Sequence, residues 1–308
     1  MSGFSRDWLA LREPYDRAAR ERAAADGLAS WPSASPSARA ADASLSIVDL
    51  GGGTGANLRF LAPRLGGRQS WRVIDHDAGL LAALPRSMAD WAARAGVTCY
   101  AQGEGVELAG VASWSARVEP VVLDLACRLH DLPFAGAHLV TASALLDLVS
   151  AQWLDALVAH CAAARSAVHF ALSYDGRIEW SEPHADDAWL RDALNRHQLG
   201  DKGFGPALGP TASDVACARL AAAGYVTHSA RSDWHLGPQD VAIQRALIDG
   251  WAAAAVELDP AQRDRAHAWR HARLVELSAG RSSLSVGHVD LVGWPSGAAG
   301  ASGAAGAD

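Results

Sequence analysis

Ser46-Ile47-Val48-Asp49-Leu50-Gly51-Gly52-Gly53-Thr54-Gly55-Ala56-Asn57 is an apolar strand that ends in a carboxylate, turns on glycines and opens a helix. Glycines at 51, 53 and 55 let the backbone turn tightly and approach a ligand with no Cβ in the way, and the unpaired N–H groups of the following helix face the same crevice. The stretch reads as a nucleotide-binding strand-turn-helix of an α/β fold. Its spacing alone admits two ligands. Gly51, Gly53 and Ala56 also satisfy the G-x-G-x-x-G/A pattern of dinucleotide folds, with Asp75 at the end of the next apolar run. Asp49 separates the two by charge, because a carboxylate at the strand tip repels a pyrophosphate and suits an ammonium or a sulfonium.

Outward from the turn, strands are expected at 45–50, 71–75, 119–124, 137–142 and 167–173. Helices at 55–65, 78–95 and 151–165 separate them, with a loop or short-strand region at 97–118. Such alternation predicts a parallel sheet with right-handed crossovers and helices on both faces. Residues 177–210 break the rhythm with a polar helix at 186–197 and a turn-rich loop, Gly200-Asp201-Lys202-Gly203-Phe204-Gly205-Pro206, which reads as a lid inserted above the sheet. A helix at 211–223 and a strand at 225–235 resume the pattern. A helical insertion over 239–279, in two helices at 239–256 and 260–278, then precedes a last strand at 283–293. Ahead of the core, residues 1–44 read as a helical cap, interrupted where Pro14 starts a second helix, followed by a Pro- and Ser-rich linker from Trp31. The core domain is expected over 45–294, and the Gly-, Ala- and Ser-rich tail over 295–308 is expected to be disordered.

Val48-Asp49-Leu50-Gly51-Gly52-Gly53-Thr54-Gly55 resembles the first motif of the class I S-adenosylmethionine-dependent methyltransferases, and the resemblance extends over roughly residues 45–175 through the order of strand-end motifs. It implies a Rossmann-like, seven-stranded, mostly parallel sheet with an antiparallel last strand. S-adenosyl-L-methionine is the cofactor it implies, and in-line transfer of its methyl group the activity. The resemblance places the methionine portion and the ribose at Asp49, Gly51, Gly53, Gly55 and Asp75, with His76 beside them. Asp75 alternatively reads as a helix N-cap, a role that Asp77 equally fits. Asp124 and Leu125 resemble the adenine site, carboxylate to the exocyclic amine and backbone to the ring nitrogen; a capped strand end is the alternative. Ser143 and Ala144, leading into Leu145-Leu146-Asp147, resemble the motif that flanks the transferred methyl, with Asp147 toward cofactor or acceptor. Arg12 either folds over the crevice to meet the cofactor's carboxylate, as cap arginines sometimes do in this family, or pairs on the surface with Asp16.

A hydroxyl or protonated amine acceptor benefits from a general base. The lid offers His197 and Asp201 as base candidates, with His184 nearby. Tyr174, Gln198, Lys202 and Phe204 are candidates to contact the substrate. Each also has a plain structural reading, a helix-face histidine or ordinary loop chemistry. Of the 12 tryptophans, Trp180, Trp189 and Trp234 lie nearest the expected cap and read either as an apolar acceptor wall or as core.

The 308 residues carry a formal charge of −7, which disfavours nucleic acid as a partner and favours a small-molecule acceptor. Half the residues are hydrophobic, yet no apolar run reaches the roughly 20 residues of a membrane span, and the N-terminus lacks a signal pattern, so a cytoplasmic protein with no membrane partner is expected. The basic stretch from Arg263 to Arg273 reads as a solvated helix face. Four cysteines form no C-x-x-C pair, and no metal-ligand spacing or G-x-S-x-G elbow occurs. Two rivals stand beside methyl transfer: an NAD-dependent oxidoreductase, and a methyltransferase-fold protein that binds cofactor without turnover. The residues do not specify the acceptor or the oligomeric state.

Overall fold

Val48 and Leu50 on one face of the first strand, and Ile47 on the other, are fully buried, so β1 (Leu45–Leu50) is covered on both sides, as a central parallel strand must be. The computed structural model describes residues 5–25, 44–111 and 114–296. Nearly all of the expected linker, and the tail beyond Ser296, lie outside them. β1 pairs in parallel with β2 (Gly67–Asp75) on one side and with β6 (Leu139–Ser143) on the other. β2 continues to β5 (Trp114–Val122), and β6 to β7 (Ala167–Trp180), again in parallel. The chain therefore winds outward from β1 in both directions, and the reversal between β1 and β6 opens a crevice at the strands' carboxyl ends.

The last strand, β10 (Leu284–Pro295), lies antiparallel between β7 and β8 (Tyr225–Arg231). The seven expected strands are all present, and the sheet has three more than the sequence predicts. The 97–118 region is an antiparallel hairpin, β3 (Thr98–Gln102) and β4 (Gly105–Gly110), that extends the edge beside β5. The expected strand over 225–235 is broken, and its end, β9 (Trp234–Leu236), pairs with the start of β10.

Helices cover both faces. α2 (Ala56–Leu65) and α3 (Ala78–Ala95) pack on β1, β2, β4 and β5 around Trp71, Leu84 and Met88. On the other face, α4 (Leu125–Arg128), α5 (Ala151–Ala164) and α7 (Ala212–Ala222) surround Phe170 and Leu208. A third core joins β7, β9 and β10 to α6 (Asp187–Gln198), α8 (Val241–Leu258) and α9 (Arg263–Ser278).

Four expectations are corrected. The N-terminal helix α1 (Arg6–Ala25) runs through Pro14 without a break; tertiary packing of Trp8, Leu11, Tyr15 and Ala19 outweighs the one lost backbone bond. β7 runs on to Trp180 because β10 offers it partners as far as Leu284, so the first residues of the expected lid belong to the sheet. β5 stops at Val122, and Asp124 instead caps α4, accepting the Ala126 N–H at 2.9 Å. The basic stretch on α9 is not wholly solvated: Arg273 is buried, lies over the Trp180 ring and pairs with Asp187, which also accepts the Trp269 indole N–H at 2.9 Å.

Candidate functional site

The turn after β1 has the geometry its glycines predict. Gly51, Gly53 and Gly55 have φ of 65°, 51° and 83°, the left-handed region that side chains resist, and a Cβ on Gly55 would sit 2.1 Å from Met88 Cε. Asp75 at the end of β2 is tied to this turn, its Oδ2 accepting the Gly53 N–H at 2.9 Å and its Oδ1 the Asp77 N–H at 2.9 Å. Asp77 caps α3 through the Gly79 and Leu80 N–H groups, so the cap reading of Asp75 falls away. A carboxylate so fixed retains free lone pairs for further donors. His76 beside it is exposed, with Nδ1 3.3 Å from Asp75 Oδ1.

Asp49 shares a strand face with Ile47 and lies under the turn, fully buried. Its Oδ1 accepts from Asn57 Nδ2 at 2.7 Å; the same amide donates to Thr141 Oγ1 at 3.0 Å, whose hydroxyl donates to the His169 carbonyl at 2.8 Å. That chain sets the amide's orientation, since the reverse would put Asn57 Oδ1 against the carboxylate. Among the described residues, Asp49 Oδ2 and Asn57 Oδ1 have no hydrogen-bond partner. Burial raises the Asp49 carboxyl to about 7, offset in part by Asn57 and by the positive charge of Arg20.

Arg20 reaches this spot from α1 and is itself buried. Its guanidinium lies over the Phe60 ring, 4.0 Å from the centroid, with Nε 3.7 Å from Asp290 Oδ2 on β10. Nε and Nη2 make no hydrogen bond among the described residues. A cavity of about 50 Å³ between α1 and α2 is lined by Asp16, Arg20, Asn57, Phe60 and Ser143, among others. α1 is held over it by Glu13, which takes two bonds from Arg59 at 2.7 and 2.6 Å, while Arg59 also holds the Thr54 carbonyl of the turn at 2.6 Å.

At the other strand ends, Ser143 closes β6 and Ala144 follows with φ 53°, a left-handed conformation that a non-glycine residue holds at a cost. Asp147 follows on a short 3-10 turn, buried, with Oδ1 unpartnered among the described residues and a carboxyl raised to about 6 by burial. Tyr174 on β7 is buried and donates its hydroxyl to Asn195 of α6 at 2.8 Å. The Leu125 side chain is in the core, and its carbonyl accepts the Trp153 indole N–H at 2.7 Å.

The lid residues go elsewhere. Asp201 Oδ1 is spent on the Gly203 and Gly205 N–H groups at 2.6 and 3.0 Å; His197 faces Glu257 of α8 at 3.3 Å; and Lys202 donates to the His197 carbonyl at 3.2 Å. Gln198 ends α6 beside Gly209, and the Phe204 ring meets Trp153 edge-on at 5.3 Å. None of the first three has a hydrogen-bond partner at the strand ends among the described residues. His197 and Asp201, the expected base candidates, thus make contacts within the lid and with α8. Arg12 takes its second reading, bidentate to Asp16 at 2.8 and 3.1 Å, though this pair is largely buried rather than on the surface. Trp180 and Trp189 pack among the helices of the third core, under Arg273 and Arg265, whereas Trp234 lies against Trp8, Tyr15 and Arg12 of α1.

Sequence reasoning did not single out Arg20, Asn57, His288 or Asp290. His288 is buried and its imidazole is pushed down to about 3, chiefly by burial; Asp290 is buried and accepts the Leu172 N–H at 2.8 Å, where Leu172 has φ 55°. One signal for the last two was present: His288-Val289-Asp290 places two polar groups on one face of an otherwise apolar strand.

No family model matches the chain, and no curated protein matches it. Among solved structures it is similar to a cyclopropane-fatty-acyl-phospholipid synthase-like protein from Lactobacillus casei, with 16% identity over 94% of each chain and a TM-score of 0.49. It is also similar to a SAM-dependent methyltransferase from Thiobacillus denitrificans in complex with S-adenosyl-L-homocysteine, at 14% identity over 94% of this chain and 98% of the other, TM-score 0.42. A third is geranyl diphosphate C-methyltransferase from Streptomyces coelicolor, at 13% identity over 81% of this chain and 70% of the other, TM-score 0.37.

Proposed function

We propose that this Rossmann-like protein is an S-adenosylmethionine-dependent methyltransferase acting on a small-molecule acceptor by direct in-line displacement. The observation that carries the reading is Asp49: a fully buried carboxylate under a left-handed glycine turn, with one oxygen that no described residue satisfies. A buried acceptor left without a partner is costly, and a cationic ligand group removes that cost. The orphaned Asn57 Oδ1 and Arg20 donors beside the same cavity fit an amino-acid terminus equally well. Asp75, fixed against Gly53 with lone pairs to spare, fits ribose hydroxyls, and Asp124 and Leu125 fit the adenine end.

When bound, the cofactor supplies a methyl group on a sulfonium whose thioether is already a good leaving group. The chain's own work is then alignment and exclusion of water. Ser143 and Ala144, at the end of β6, would be the residues beside the transferred methyl, with the strained Ala144 backbone held by its N–H bond to the Ala171 carbonyl at 2.9 Å. α1 lies over the turn, where it would limit the access of water to a bound cofactor. A general base is needed only for hydroxyl or protonated amine acceptors, and Asp147, raised to about 6 and unpartnered at Oδ1, is placed for that role.

Calorimetric titration with S-adenosylhomocysteine tests the reading, with micromolar binding expected and Asp75→Ala weakening it by about 1–3 kcal/mol. No heat at high micromolar ligand, or an absorbance change with NADH instead, overturns it.

A further inference from the structure

We infer that the free edge of β3 is an interface between two copies of this chain, which pair antiparallel across a two-fold axis at Tyr100 and join their sheets into one.

β3 ends the sheet, and among the described residues its outer side has no backbone partner. Which groups it leaves free follows from the hairpin. Gln102 and Gly105 flank a two-residue connection in which Gly103 has φ 59°, the kind of hairpin turn that places glycine first. Such a turn closes on a hydrogen-bonded pair, so Gln102, Tyr100 and Thr98 spend their N–H and C=O groups on Gly105, Glu107 and Ala109 of β4. Cys99 and Ala101 direct theirs outward. Bare edges are normally blunted by charge, proline, a bulge or shortness. The opposite edge has such devices, since β8 carries His228 and Arg231 and β9 has three residues. Thr98-Cys99-Tyr100-Ala101-Gln102 has no charge and no proline, and its register with β4 is unbroken.

The strand is self-complementary. About an axis at Tyr100, Cys99 of each copy faces Ala101 of the other, two hydrogen-bonded pairs that make four N–H···O bonds. Tyr100 meets its own copy in the close, non-hydrogen-bonded position. Its side chain, 64% exposed, lies on the face opposite Cys99, which packs toward the helices, so the two rings can pair in the open. Charge fits the same register. The Gly103-Glu104 turn of one copy comes beside Gly96-Val97 of the other, next to the last turn of α3, which carries Arg94. Glu104 and Arg94 are exposed and form no ion pair among the described residues, whereas Arg86 of the same helix pairs with Asp90. The two-fold therefore supplies two contacts of opposite charge and opposes no like charges within the strand. The longer stretches outside the described residues, 26–43 and 297–308, contain no Val, Ile, Thr, Tyr or Phe, the residues that strands favour, which leaves a second copy as the better occupant.

Sedimentation equilibrium on the full-length protein tests the pairing. A reversible equilibrium between the 32.2 kDa chain and its dimer is expected, with Kd on the order of 1–50 µM because the interface is small. Tyr100→Lys sets two like charges at the axis and Ala101→Pro removes an outward N–H; each is expected to weaken the dimer at least about 10-fold. Glu104→Arg is expected to weaken it about 3- to 10-fold, and adding Arg94→Glu to restore it. That restoration reads the register directly and does not depend on either β3 variant folding. A protein that stays monomeric at about ten times the upper Kd overturns the interface. So does slow hydrogen exchange at Cys99 and Ala101 in a monomer, which assigns the edge to another segment of the same chain. A dimer that persists in folded Tyr100→Lys and Ala101→Pro, or that the double charge reversal fails to restore, overturns it as well.

Discussion

Asp49 shows how one buried group couples stability to ligand. Its carboxyl is raised from 3.8 to about 7 by burial. Between those values the folded chain keeps a proton that the unfolded chain has released, so this residue's contribution to stability is greatest below pH 4, falls as pH rises through about 7, and is flat above. Asp49→Asn retains a carbonyl for Asn57 and removes that slope. The variant is expected to gain stability over the parent between pH 5 and pH 8, by on the order of 2–4 kcal/mol, while losing affinity for a cationic ligand. Urea unfolding of both proteins at the two pH values checks this, and a difference that does not change with pH refutes it. At this scale the left-handed turn and the placement of Asp49 and Asp75 beside it were legible because that geometry follows from neighbours within a strand or turn. Arg20 was not, since its partners Asp290 and Phe60 lie on distant segments that only folding brings to it.

Elements were legible where a period was long and uninterrupted, and α3 spans the predicted residues 78–95. They were misread where a partner decides. Pro14 breaks a free helix, but α1 is held along its length by packing on the third core and by Glu13. β7 outruns its apolar pattern because β10 pairs with it, so residues 177–180 belong to the sheet rather than to the expected lid. Glu13→Ala is expected to release α1: it leaves the buried Arg59 without its two carboxylate bonds and costs about 1–3 kcal/mol, because Glu13 is partly exposed. Hydrogen exchange is the check, and faster exchange confined to residues 6–23 and the 51–60 turn is the expected result. Protection that is unchanged there means the apolar contacts hold α1 unaided.

Across the whole molecule, the long antiparallel pair β7 and β10 joins the nucleotide-type half to the layer of α6, α8 and α9. Arg177 at the far end of β7 fastens this join, bonding Asp175 at 2.5 Å and Asp233, ahead of β9, at 2.7 and 2.9 Å; Asp233 also takes the His288 N–H at 3.1 Å. Arg177→Met leaves two partly buried carboxylates facing each other and is expected to cost about 1–3 kcal/mol. Urea unfolding should show a lower midpoint with unchanged slope; an unchanged midpoint removes the residue from the join. What the sequence by itself determined is the α/β class, the order of the strands and the left-handed turn with its two carboxylates, because glycine sterics and apolar periodicity act over a few residues. Only the tertiary structure decided which polar groups are buried together. Arg20 meets Asp290 and brings its charge to Asp49 through the docking of α1 and the insertion of β10 beside β7, and the acids and bases of the lid are drawn into its own turn and helix contacts. Burial and pairing of charge depend on what lies across a gap in space, and no local pattern in the chain encodes that distance.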